Sequence, residues 1–210
     1  MNELIDISVP LHPGLPLWPE TPALRITQDM SLAAGDVANV SRLDLDAHSG
    51  THIDAPLHFI PGADTTDDIP LTQLIGPCLV ADFTGLQRIT AADLEAAHIP
   101  DDTRRLLLKT DNSALWQDFR RPFRPDFCAL SLDAAQWIAE RGMFLVGIDY
   151  HSIQMYDDSF DTHIALLQHK VVILESLHLR HIAPGPYELL CLPLRVWGVE
   201  AVPVRAVLRR

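Results

Sequence analysis

The chain has 210 residues, 48% hydrophobic and 21% charged, enough to bury one medium-sized core without disulfide or metal staples. A net charge of −12 with no clustered Lys or Arg excludes binding to a phosphate backbone and suits a protein that binds cations. No apolar run approaches the roughly 20 residues of a membrane span, and residues 1–9 lack the basic and apolar regions of a leader, so the expectation is one cytoplasmic domain over residues 1–210.

In chain order, residues 4–9, 24–27 and 37–48 read as strands separated by Pro-rich loops. In the third, Leu43, Leu45 and Ala47 alternate with Arg42, Asp44, Asp46 and His48. That is a period of two, with one apolar and one polar face, and it places His48 at a strand end on the polar face. Residues 78–83, 106–110, 145–149 and 171–175 are nearly continuous apolar runs of the buried-strand type. Between them, Thr90 and Asp93 open a helix over 91–97 as a capping-box variant, and a helix over 132–141 closes on Gly142. A third helix covers 162–169, and 187–193 and 201–208 are again strand-like. This alternation predicts an α/β fold with a mixed sheet and helices outside it. Cys78, Cys128 and Cys191 sit among apolar neighbours and read as buried free thiols of a reducing compartment.

The chemistry concentrates in His48-Ser49-Gly50-Thr51-His52-Ile53-Asp54-Ala55-Pro56-Leu57-His58. Three of the chain's ten histidines and one Asp fall within these eleven residues. Donors on one metal lie about 2.0–2.2 Å from it. A straight strand would hold the alpha carbons of His48 and His52 about 13 Å apart, too far for easy convergence. Gly50 and Pro56 make a helix improbable. The remaining solution is a strand that curls at Ser49-Gly50-Thr51, where glycine admits backbone angles that other residues resist. Asp54 then points to the same centre, and Pro56 turns the chain to bring His58 in from the side. With no Cys in the cluster, an open catalytic site is favoured over a closed structural zinc. Glu175 ends an apolar buried run, where an unpaired carboxylate is costly and a metal relieves the cost. Ser49 offers no nucleophile elbow. Trp18, in Leu15-Pro16-Leu17-Trp18-Pro19, reads either as a substrate contact or as a loop anchor on the core.

The motif resembles the H-x-G-T-H-x-D-x-P-x-H hallmark of the metal-dependent cyclase family, which includes bacterial kynurenine formamidases and isatin hydrolases. The likeness runs from Asp6-Ile7-Ser8 to Pro203-Val204-Arg205. It implies a swivelling β/β/α fold, a homodimer or higher homo-oligomer, and two divalent ions per chain, zinc first and manganese next. It further implies that His48 and His52 bind one metal, that Asp54 bridges to a second, and that His163 and the bridging Glu175 bind that second. His58 matches the general acid/base and Trp18 a substrate contact. The implied activity is hydrolysis of an aryl formamide by a metal-activated hydroxide, near neutral pH. Where formamidases run Gly-Ile-Asp-Thr-Pro-Ser, this chain has Gly147-Ile148-Asp149-Tyr150-His151-Ser152, so isatin-type lactams and cyclic esters stay open. A non-catalytic metal binder and a cyclase or dehydratase on the same centre are the alternatives of other classes. His169, His178 and His181 match no position of the pattern and read as surface or loop residues.

Overall fold

A computed structural model describes residues 3–118 and 122–210; the opening Met1-Asn2 of the segment read for a leader lies outside them. The chain runs through β1 (Leu4–Asp6), β2 (Arg25–Met30), β3 (Val40–Asp44), β4 (His52–Asp54), α1 (Leu71–Leu74), β5 (Ile75–Asp82), β6 (Arg88–Ile89), α2 (Ala91–Ala96), β7 (Arg105–Lys109) and β8 (Ala129–Leu130). It continues through α3 (Leu132–Glu140), β9 (Leu145–Ile148), α4 (Asp161–Gln168), β10 (Val172–Glu175), β11 (Gly185–Pro193) and β12 (Ala201–Arg209). The capping box is present as read: Thr90 accepts from the Asp93 amide while Asp93 reaches back to the Thr90 amide.

The main sheet is mixed. β5, β7, β9 and β10 are parallel neighbours, and β11, β12 and β4 join antiparallel. β12 bonds β11 on one side and β4 on the other, so seven strands close on themselves; β1 extends the β4 side of β12. Closure removes free edges, which an open sheet would have to protect. The sequence predicts the mixed sheet but not its closure, because pairing between β4 and β12 leaves no local signal.

Alternation along the strands sorts two cores. Ile53, Val80, Leu107, Leu174, Leu189 and Ala206 belong to the cluster inside the closed sheet. Leu106, Leu108, Val146, Ile148 and Ile173 belong to the other, packed with Ala134, Ile138, Leu166 and Leu167 of the helices. These strands are buried on both faces, which is why their sequences are continuously apolar. The three cysteines are free and buried, as read. Among the described residues no helix is long and apolar enough to cross a membrane.

The N-terminal region corrects one expectation. The strand read over 37–48 stops at Asp44, and β2 and β3 form a separate two-stranded ribbon. All five residues of β3 are exposed, with Leu43 at 60%, so its alternation does not separate a buried face from a wet one. His48 lies in a turn, not at a strand end. The His48 and Ser49 amides donate to the side chain and carbonyl of Asp46, at 2.9 and 3.0 Å, which bends the chain there.

Candidate metal centre

The curl sits where glycine requires it. Gly50 has φ 65°, and a Cβ there would meet Leu11 Cδ2 at 2.6 Å. The turn delivers the chain into β4, where His52 and Asp54 share the helix-covered face of the sheet and Ile53 points inside. β4 pairs antiparallel with β10 in a register that sets His52 opposite Glu175. Pro56 starts a 3-10 turn ending at His58, and α4 contributes His163.

All six side chains converge. His48 Nδ1 lies 3.1 Å from Asp54 Oδ1, and His52 Nε2 lies 3.5 Å from Asp54 Oδ1 and 3.4 Å from Glu175 Oε2. His163 Nε2 lies 3.2 Å from Glu175 Oε1 and 3.9 Å from Asp54 Oδ2. The His58 ring is 4.3 Å from that of His48 and 6.0 Å from that of His163. Among the described residues, two donor groups are tight enough to hold an ion: His48, Asp54 and His58, and His52, Asp54 and Glu175. Asp54 is common to both, as a bridging ligand would be. His52 grouping with Asp54 and a bridging Glu175 is compatible with the implied set, which does not include His58 as a ligand and adds His163, a member of neither group.

Hydrogen bonds outside the cluster leave acceptors facing inward. His52 Nδ1 donates to the Gly50 carbonyl at 2.8 Å, and His163 Nδ1 to Gln154 Oε1 at 2.6 Å. Each ring then turns the lone pair of Nε2 toward carboxylate oxygens. His52 Nε2 and Asp54 Oδ1 are buried with no hydrogen-bond partner. Converging lone pairs and carboxylates repel unless a cation lies between them, so the donor set fits divalent ions. Ions bound at about 2.0–2.2 Å place their ligands roughly 3–3.5 Å apart, the spacing found here.

The electrostatics agree. Burial opposes charge on His48, but the Asp54 carboxylate beside it raises its pKa to about 9. Asp54 is fully buried, yet the histidines around it hold its carboxyl well below the usual range. Burial and the Asp54 charge work against ionised Glu175, and the nearness of His163 and His52 outweighs them and holds its carboxyl below the usual range. Burial lowers His58 despite the attraction of Asp54, with His48 and His163 pushing the same way, so its ring is neutral at pH 7 and able to take a proton.

The cluster opens into a cavity of about 370 Å³ lined by Trp18, Thr21, Asp46, Phe59, His151, Ser152 and Phe160. Trp18 packs against Phe123 and Tyr156, at 5.1 and 5.2 Å, as a loop anchor would, and also lines the cavity. His169 and His181 are exposed and His178 is half-buried in a loop, all away from the cavity.

Several supporting residues escaped the sequence reading. Thr51 accepts from the Val9 amide at 2.8 Å and donates to the Ser176 carbonyl at 2.6 Å. It is a fixed position of the motif, which was a signal. The Ile153 amide donates to Glu175 Oε1 at 2.7 Å, and Gln154 holds His163. Both follow directly on the stretch where this chain departs from the formamidase run. Glu200, 3.6 Å from His48 Nε2, had no sequence signal.

The family model described as "Putative cyclase" matches residues 5–155. "Cyclase-like protein 3" of Arabidopsis thaliana is 36% identical over 99% of the chain and 79% of its own length. A kynurenine formamidase of Bacillus cereus is 34% identical, over 99% of the chain and 98% of its own length. A solved structure of a "predicted metal-dependent hydrolase" from Bacillus stearothermophilus superposes with a TM-score of 0.85 at 33% identity, over 100% of this chain and 98% of that one.

Proposed function

The chain belongs to the cyclase family, and from that premise we propose that it is a metal-dependent hydrolase of an aryl formamide, acting as one domain over residues 1–210. The reading rests on the buried, partnerless acceptors His52 Nε2 and Asp54 Oδ1, with His52 lining an aromatic cavity. Asp54 and Glu175 would bridge two divalent ions, with His48, His52 and His163 as terminal ligands. Nitrogen and oxygen donors without thiolate suit zinc, with manganese next. Such ions, when bound, polarise a carbonyl and lower the pKa of water.

The rest of the chemistry belongs to the chain. Trp18, Phe59 and Phe160 form a wall against which an aromatic ring packs while the amide faces the ligands. His58, neutral beside the cluster, takes a proton from the nucleophilic water and returns it to the leaving nitrogen. An isatin-type lactam is the second reading, left open by His151 where formamidases have proline. The proposal includes a homodimer meeting at the β2–β3 ribbon, which leaves Ile26, Leu32, Val37 and Leu43 exposed at 45%, 58%, 90% and 60%.

The test is a substrate screen on metal-loaded protein with N-formylkynurenine, isatin and simple aryl formamides. Chelator-sensitive hydrolysis of an aryl formamide is expected. Hydrolysis of none of them, with metal bound, would overturn the reading; cleavage of isatin alone would replace it with the second.

A further inference from the structure

The wall of the cavity contains a buried histidine that neither the ligand cluster nor the proton transfer uses. His151 lines the cavity and is only 7% exposed. Its ring centroid lies 4.6 Å from that of Tyr150, 5.0 Å from Trp116 and 5.6 Å from Phe123. Trp116 is itself fixed, its Nε1 donating to the carbonyls of Asp149 and Leu177 at 3.0 Å each. The imidazole is thus clamped in place, yet its Nε2 has no hydrogen-bond partner.

An unsatisfied buried polar atom costs about 1–3 kcal/mol, so most such atoms in native proteins are paired. A histidine held in that state at a ligand-sized cavity is one whose partner arrives with the ligand. Packing alone would be served as well by an apolar residue. Aromatic rings around it and 7% exposure disfavour a charged imidazole there, and burial pushes its pKa down to about 3. The ring is therefore uncharged, with one N–H and one lone pair to offer. Such a group reads a hydroxyl or a carbonyl in preference to a carboxylate, which calls for a cation. Beside it, the Ser152 hydroxyl oxygen accepts from the Gln154 amide at 3.2 Å, a second polar group on the same stretch of wall.

We propose that His151 is a specificity residue, which hydrogen-bonds a neutral hydroxyl or carbonyl substituent on the aromatic ring of the amide substrate. The inference rests on the site being an aryl-amide hydrolase and names the class of amide it takes. The scissile amide faces the ligands and His58, and the substituent satisfies His151.

Metal-loaded protein is assayed with formanilide and its 2-, 3- and 4-hydroxy derivatives. Binding of the matching products, aniline and the aminophenols, is measured by calorimetry on the same preparations. At least one hydroxylated isomer should be preferred about three- to tenfold, in kcat/KM and in product affinity, as one neutral hydrogen bond allows. His151→Phe, which keeps an aromatic ring among Tyr150, Trp116 and Phe123, should bring that ratio to within about twofold. His151→Gln should retain part of it. Metal content and thermal unfolding are followed for each variant.

Equal treatment of all isomers by the unmodified protein overturns the proposal whether or not a variant folds. So does an equal fall for parent and hydroxy derivatives in His151→Phe, which makes the residue catalytic or structural, and so does loss of metal, which makes it a ligand. If no formanilide is hydrolysed but the aminophenol preference is present and His151→Phe removes it, the hydrolase reading fails and the binding inference stands. Hydrolysis without preference overturns this inference alone.

Discussion

The hydroxyl of Thr51 donates to the carbonyl of Ser176 at 2.6 Å, tying the residue between the curl and His52 to the residue after Glu175. Ser176 has φ 58°, a left-handed conformation that a non-glycine residue adopts only when its surroundings impose it. The bond extends the backbone pairing of the strands that carry Asp54 and Glu175 by one side-chain link. Thr51→Val keeps the shape, removes the bond to Ser176 and leaves the Val9 amide without its acceptor. Stability should fall by about 1–3 kcal/mol, with weaker metal binding, measured by denaturant unfolding and by metal titration. Unchanged metal affinity in a destabilised variant would mean that Thr51 supports the fold alone.

Asp54 and His48 differ in what they should cost. Asp54 is shared by both donor groups, whereas His48 belongs to one. Asp54→Ala should empty both ion sites, and His48→Ala should weaken mainly one. Elemental analysis after reconstitution checks this. Two ions retained in Asp54→Ala would contradict the bridging role.

His58→Ala should keep its metal and lose turnover by about 10²–10⁴-fold, the usual contribution of a general acid/base. The nearness of His58 to His48 and Asp54 makes ligation the competing role, so metal content and kcat are taken on one preparation. Loss of metal along with activity would assign His58 to the ligands. Substrates with better leaving groups should suffer less if it delivers the proton.

Metal binding should be linked to pH through His48. In the metal-free protein the Asp54 carboxylate, against the effect of burial, raises His48 to about 9. The raised value means that this pairing stabilises the fold fully below the ordinary pKa of about 6.5. That contribution fades as pH rises through 9. A metal ion must displace the same proton. Apparent affinity should rise as pH goes from 7 to 9 and level off above it, with proton release seen by calorimetry in buffers of different ionisation enthalpy. A flat profile would remove His48 from the ligand set.

The β2–β3 ribbon should carry the dimer contact. Sedimentation of the unmodified chain should show a dimer, and Leu43→Glu should shift it toward monomer without changing the fold seen by circular dichroism. A monomeric unmodified chain would contradict the proposed assembly.

The site was more legible in the sequence than the fold around it. His48, His52, Asp54 and His58 lie within one local motif, so spacing and a single glycine were enough to group them. Glu175 was legible through its cost: a carboxylate ending an apolar run needs a partner. His163 carries no such mark, since one histidine on a helix is unremarkable, and only the family pattern pointed to it. The β3 pattern misled because alternation there serves a ribbon exposed on both faces, not a strand lying on the core. Gln154, the Ile153 amide and Glu200 went unread because their roles depend on where tertiary structure carries them.

The closed sheet gives the centre a place in time as well as in space. β4, which carries His52 and Asp54, fills the gap between β10 and β12, and the bond across that seam joins residues 125 positions apart. Contacts between such distant segments are the slow ones to form, because the intervening chain must be ordered first. Until β4 docks, the carboxylates of Asp54 and Glu175 are not neighbours and no ion can be held between them. Uptake of a spectroscopic metal during refolding would therefore track closure of the barrel. An ion added after closure, by binding only the closed form, would slow its reopening.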